Sequence, residues 1–142
     1  AADCPTVVAI KEAGGSVDRV NQLVQALPEG FGILSGDDPL TLPFFAAGAN
    51  GLVSVAANLV PEVIVSLVNA CLAGNFTEAL ALQKKYYPLM RGLMSIDVNP
   101  VPIKSAVALQ GHCTDEFRLP LVGLNASGTE QLTALLKSYN LL

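Results

Sequence analysis

The sequence predicts an α/β chain: three strand-then-helix units with parallel strands, followed by a helical segment. Short β-branched apolar runs recur three times, each leading through a Gly- or Asp-bearing loop into residues with helical apolar spacing. Hydrophobic residues make up 51% of the 142 and charged residues only 14%, the bias expected where helices cover both faces of a parallel sheet. After about residue 74 the strand pattern ceases and only helical spacing remains.

The first unit pairs a strand over Thr6–Ile10 with a helix from about Val17 to Leu27. Val17, Val20, Leu23, Val24 and Leu27 are spaced along one helical face, and Ser16 stands as N-cap. The second runs from Phe31–Leu34 through Ser35-Gly36-Asp37-Asp38 to a helix near Leu40–Ala47. The third runs from Gly51–Val55 through Asn58 to a helix from Pro61, a favoured first-turn proline, to about Ala73. Helices are then expected over Thr77 to about Met94, Pro102–Leu109 and Gly128–Tyr139, the last capped by Ser127-Gly128-Thr129-Glu130. This divides the chain into a βα portion, residues 1–74, and a helical portion, residues 75–142. Strands alternating with helices at this pitch imply right-handed crossovers. Three parallel strands leave two open edges, and the first residues read as the end of a helix feeding a strand. A larger βα array is expected, its other part lying upstream or on a separate chain.

Several classes of function are disfavoured. A net charge of −4 without a Lys/Arg cluster is a poor match to nucleic acid or an anionic membrane. The apolar stretch Leu52–Gly74 is divided by Asn58, Pro61 and Glu62 and is too short to span a bilayer. Residues 1–10 lack the basic start and cleavage pattern of a signal peptide. Cys4, Cys71 and Cys113 are far apart and carry no metal-ligand spacing, which fits reduced thiols in a cytoplasmic setting. His112, the single histidine, reads as a surface residue in a turn after a helix.

In a parallel βα array, reactive side chains gather at the carboxyl ends of the strands. Lys11 ends the first strand there. An apolar mouth would partly desolvate its amine and make it a nucleophile toward carbonyls, the chemistry of a Schiff-base lysine. The same position suits a lysine that snorkels outward or pairs with Glu12. After the second strand, Gly36 lets backbone approach a ligand, and Asp37 and Asp38 are placed either to position a substrate group or to cap a helix before Pro39. Val53 is placed to turn a backbone carbonyl inward, or is simply core. Tyr86-Tyr87, in a helical stretch with Leu82, Leu89 and Leu93, reads as packing or interface, and Asn99-Pro100-Val101-Pro102-Ile103-Lys104 as a rigid turn leading into a helix.

Five stretches in order carry a resemblance: Val8-Ala9-Ile10-Lys11-Glu12-Ala13, Leu34-Ser35-Gly36-Asp37-Asp38, Gly51-Leu52-Val53-Ser54-Val55-Ala56-Ala57-Asn58, Asn99-Pro100-Val101-Pro102-Ile103-Lys104 and Arg118-Leu119-Pro120-Leu121. Through essentially all its length the chain resembles the C-terminal half of the dihydrodipicolinate synthases, pyruvate-dependent class I aldolases and lyases built on the TIM barrel. The resemblance implies a partial TIM barrel, its last three βα units, followed by a C-terminal helical segment. It implies that Lys11 condenses with pyruvate as a covalent imine with no further cofactor. The resulting enamine then attacks aspartate semialdehyde in lysine biosynthesis. The Val53 carbonyl would face the adduct, and Gly36 and Asp37 would lie near the second substrate. Homo-oligomers, typically tetramers, are implied.

The family's Gly-Thr-Thr-Gly-Glu loop for the pyruvate carboxylate, its proton-relaying tyrosine, its arginine for the second substrate and its lysine feedback site belong to the first half and are not found here. Proton transfer and positioning each supply factors of about a hundred or more. Activity is therefore expected to need an N-terminal half-barrel in the same or another chain. The competing readings are a non-catalytic, self-associating half-barrel and another pyruvate-dependent aldolase such as N-acetylneuraminate lyase.

Overall fold

The architecture is given by a computed structural model that describes residues 3–142. Strands β1 (Ala9–Glu12), β2 (Gly32–Ser35) and β3 (Gly51–Leu52) lie side by side in that order, and both pairings are parallel. Lys11 stands opposite Leu34, which stands opposite Gly51; in the next row Glu12 stands opposite Ser35, and Ser35 opposite Leu52. The ladder extends past the carboxyl ends, where the Gly36 amide donates to the Glu12 carbonyl and the Val53 amide to the Ser35 carbonyl, each at 2.8 Å. All three strands therefore end along one margin of the sheet.

The first strand begins later than the apolar run predicts. The Val7 amide turns back to the Cys4 carbonyl at 2.9 Å, and parallel pairing starts only at Ala9 opposite Gly32. Val7 and Val8 are exposed, so the β-branched residues expected at the strand's centre lie before it. Lys11 sits inside the strand and Glu12 closes it. The third strand is also shorter than expected, two residues against five, and Val53 is exposed.

The helices fall close to their expected spans: α1 (Val17–Ala26), α2 (Thr41–Ala46), α3 (Pro61–Leu72), α4 (Phe76–Ser95), α5 (Val101–Leu109) and α6 (Ala126–Ser138). One-turn 3-10 segments precede α2 and α3, at Asp38–Leu40 and Ala56–Asn58. Ser16 caps α1, its hydroxyl accepting from the Arg19 amide. The cap of α6 is Asn125, whose side-chain oxygen accepts from the Gly128 amide at 2.8 Å; the Ser127 expected to open that helix lies within it. Asp37 holds the cap position of its 3-10 turn without a side-chain capping bond. The Asp37 amide itself donates to the Ser35 hydroxyl at 3.3 Å.

The described chain divides into two compact units, residues 3–54 with Glu62–Lys85, and Val55–Pro61 with Tyr86–Leu142. In the first, the buried residues include Val20 and Leu23 of α1, Ile33 of β2, Phe44 and Phe45 of α2, and Ile64, Leu67 and Ala70 of α3. Cys71 is buried beside them as a free thiol, and burial pushes its pKa up. In the second, Leu89, Met90 and Leu93 of α4, Val101, Ile103 and Ala106 of α5, and Leu132 and Leu136 of α6 are buried. A β-carbon at Gly92 would lie 2.4 Å from Leu135 Cδ2, so glycine lets α6 come close to α4. Tyr86 and Tyr139 stack at 5.5 Å, consistent with a packing role for Tyr86. The loop after α5 is fastened back onto that helix. Lys104 Nζ donates to the Glu116 carbonyl and lies 5.0 Å from the centre of the Phe117 ring, while Ser105 Oγ donates to Asp115 Oδ1 at 2.7 Å. His112 is exposed in the turn after α5. No helix among the described residues is long and apolar enough to cross a membrane.

Candidate functional site

Parallel pairing turns one face of each row the same way, so Lys11, Leu34 and Gly51 form one row on one face of the sheet. Two residues further along each strand path come Ala13, Gly36 and Val53. Lys11 leans along its own strand toward this second row. A β-carbon at Gly36 would lie 2.6 Å from Lys11 Cε, 3.0 Å from Lys11 Cγ and 2.7 Å from Ala13 Cβ. The stem of the lysine thus occupies the space that any side chain at residue 36 would claim. Sequence reasoning names Gly36 for backbone approach to a ligand; the geometry adds that Gly36 seats the lysine.

Three of the four residues expected to form the site, Lys11, Gly36 and Asp37, are gathered at the ends of β1 and β2. Val53 follows β3 and joins through its amide bond to Ser35. One expectation about Lys11 is corrected: its side chain is exposed within this chain. The apolar wall invoked to desolvate its amine is not assembled by the residues described. The proposed pairing with Glu12 is not what the geometry gives either, because alternation sends Glu12 to the opposite face. There its carboxylate accepts from the Gly14 amide at 2.6 Å and lies 3.7 Å from Arg19 Nε. Glu12 is 9% exposed, and it ties the loop after Lys11 to the first turn of α1.

The loop after β2 is held from several directions. Ser35, fully buried, donates its hydroxyl to the Asp37 carbonyl at 3.0 Å and accepts from the Asp37 amide. Thr41 Oγ1 donates to the Asp38 carbonyl at 2.8 Å, and Gln83 of α4 donates to the Pro39 carbonyl at 2.9 Å. Asp38 is buried, so of the two adjacent carboxylates only Asp37 stands partly open. Sequence reasoning misses Ser35, Glu12 and Gln83 as parts of this framework. A signal exists for Ser35, since a serine two residues before an aspartate at a strand end favours a side-chain-to-backbone turn. None exists for Gln83, which acts across 44 residues. Among the described residues no group of three or more His, Cys, Asp or Glu is placed to hold a metal ion.

Residues 1–139 match the Dihydrodipicolinate synthetase family. The chain belongs to this family. Its similarity to the 4-hydroxy-tetrahydrodipicolinate synthase of Aquifex aeolicus is 41% identity over 141 residues, 99% of this chain and 48% of the relative. The crystal structure of the Aquifex aeolicus dihydrodipicolinate synthase superposes with a TM-score of 0.95 over 99% of this chain and 47% of that one, at 40% identity. The 4-hydroxy-tetrahydrodipicolinate synthase of Methylacidiphilum fumariolicum SolV is 53% identical, with a TM-score of 0.90 over 94% of this chain and 44% of its own. A dihydrodipicolinate synthase from Acinetobacter baumannii, solved as a complex with pyruvate, is 32% identical, with a TM-score of 0.90 over 97% of this chain and 47% of its own. The chain spans about half the length of the relatives it matches. The three-stranded parallel sheet with its helices is, accordingly, part of the family's TIM-barrel-like fold.

Proposed function

We propose that this chain carries the Schiff-base lysine of a 4-hydroxy-tetrahydrodipicolinate synthase, and that it contributes the last three βα units of the barrel and the helical segment that follows. The reading rests on the position of Lys11, at the carboxyl end of a parallel strand with its stem lying across Gly36, in a chain of this family. The pyruvate complex of the Acinetobacter baumannii relative supports pyruvate as the first substrate.

In this reading the neutral Lys11 amine attacks the ketone carbon of pyruvate. A carbon–nitrogen bond forms, the carbonyl oxygen leaves as water, and the imine is conjugated to the carboxylate. Loss of a methyl proton gives the enamine, whose carbon attacks the aldehyde carbon of aspartate semialdehyde and forms the new carbon–carbon bond. The Val53 carbonyl faces the adduct, while Gly36 and Asp37 border the acceptor. Lys11 is exposed in this chain, so an N-terminal half-barrel is assigned the tasks of excluding water, holding the pyruvate carboxylate and relaying the proton. The assembled enzyme works in the cytoplasm as a homo-oligomer, with no cofactor beyond the imine itself.

One observation favours a second reading. Among the described residues β1 and β3 each pair on one side only, so two edges of a parallel sheet invite another strand, and a self-associating, non-catalytic half-barrel would satisfy them. Borohydride reduction in the presence of pyruvate, followed by intact mass and peptide mapping, separates the two. The synthase reading expects one reduced pyruvyl group on Lys11 that is lost in Lys11→Arg. If neither the chain alone nor the chain with an N-terminal half-barrel is labelled, that reading falls and the assembly reading stands.

A further inference from the structure

We infer that Gln83 is a positioning residue for the loop after β2, and through that loop for the acceptor side of the site. The inference rests on the reading of Gly36 and Asp37 given above. Gln83 lies on α4 with 7% of its surface exposed. Its Nε2 donates to the Pro39 carbonyl at 2.9 Å and reaches the Asp38 carbonyl at 3.5 Å. A buried amide donor is unfavourable unless its hydrogen bonds are made, and Nε2 makes them here to main-chain carbonyls of this loop.

That loop is tied at two ends. At its start, Ser35 holds Asp37 by two hydrogen bonds and the Gly36 amide is fixed to the Glu12 carbonyl. These bonds are local or belong to the sheet ladder, and they set where the loop leaves β2. At its far end, the carbonyls of Asp38 and Pro39 receive Thr41 and Gln83. Gln83 comes from 44 residues away in sequence, so it sets the loop's height against a separate helix. Asp37 is the last residue of the near tie. Releasing the far one leaves Lys11, Gly36 and the Ser35–Asp37 bonds in place and lets the turn that follows Asp37 drift, so that the acceptor side of the site changes shape beside a fixed Asp37.

The test compares the parent with Gln83→Met, which keeps the volume of the side chain and removes the donor. The samples are this chain and its assembly with an N-terminal half-barrel. The expected result has three parts. Pyruvate trapping on Lys11 stays within about twofold. KM for the aldehyde acceptor rises about tenfold while kcat changes by less than about threefold, the pattern of an acceptor bound less well in ground and transition state alike. Hydrogen exchange of amides in residues 38–41 accelerates while that of α1 does not. Unchanged KM and unchanged exchange overturn the assignment, and so does a parallel loss of trapping and turnover, which would make Gln83 a general support of the sheet. A parent that traps no pyruvate in any sample overturns the underlying reading instead. That failure is distinguishable, because exchange in residues 38–41 is read on the same samples.

Discussion

Lys11 and Gly36 make one structural statement between them: the lysine's reach depends on a residue that has no side chain. A β-carbon at residue 36 would meet both Lys11 Cε and Ala13 Cβ. The lysine tip can swing aside, but Ala13 Cβ is fixed to its backbone and cannot. In Gly36→Ala the amine is therefore displaced while the sheet is strained. The variant is expected to remain folded, with a loss of about 1–3 kcal/mol from overpacking, and to trap pyruvate about a hundredfold more slowly, since displacements near an ångström have effects of that size on attack geometry. Thermal unfolding and timed borohydride quenching check the two halves separately. Trapping at the parent's rate would show that Lys11 does not need its seat. At this scale the sequence is legible for the position of the lysine at the sheet margin and opaque for its support. Lys11 and Gly36 stand out because a parallel strand delivers its last residues to one margin. Gln83 and Glu12 do not stand out, because their roles exist only once α4 and α1 have packed.

Helices were more legible than strands, and the difference is physical. A helix is marked by repeated spacing along ten or more residues, so α1, α3, α4 and α5 fall within a residue or two of the spans that their apolar faces predict. A four-residue strand has no such redundancy, and its limits are set by its partner. β1 runs from Ala9 because Gly32 begins β2 opposite it, and the more strand-prone Val7 and Val8 are left outside. Caps lie between these cases. Asn125 caps α6 by accepting from the Gly128 amide, and its backbone carbonyl takes the Thr129 amide at 2.9 Å, although the Ser-Gly-Thr-Glu run two residues later is also a plausible start. Asn125→Ala is expected to lower stability by about 1 kcal/mol, while Asn125→Ser, which keeps a side-chain acceptor, is expected to lose only a few tenths. Denaturant midpoints at unchanged slope would measure both. Equal midpoints for all three would return the cap to Ser127.

For the molecule as a whole, the decisive quantity is how much of the sheet and its helices this chain can cover by itself. Half the composition is hydrophobic, and β1 and β3 pair on one side only among the described residues. On α3 and α4, Val65, Leu72, Phe76 and Leu80 are all exposed. The chain spans about half the length of the relatives it matches, and in the reading proposed above an N-terminal half-barrel pairs with the open edges. An added N-terminal half-barrel from the Aquifex aeolicus relative is therefore expected to bind at the open edges and raise the thermal midpoint. It should also reduce the binding of an apolar dye and bring Lys11 trapping into the range of a functioning synthase. Burial of even a few hundred square ångströms of apolar surface is worth several kcal/mol at about 25 cal/mol per Å², so the shift in midpoint should exceed the effect of any single substitution proposed above. Size-exclusion mass run in parallel discriminates the alternative. A stable homo-oligomer that ignores the added half, binds no dye and traps no pyruvate would mean that a second copy of this chain already closes the edges, and that the lysine near the end of β1 has been retained without its chemistry.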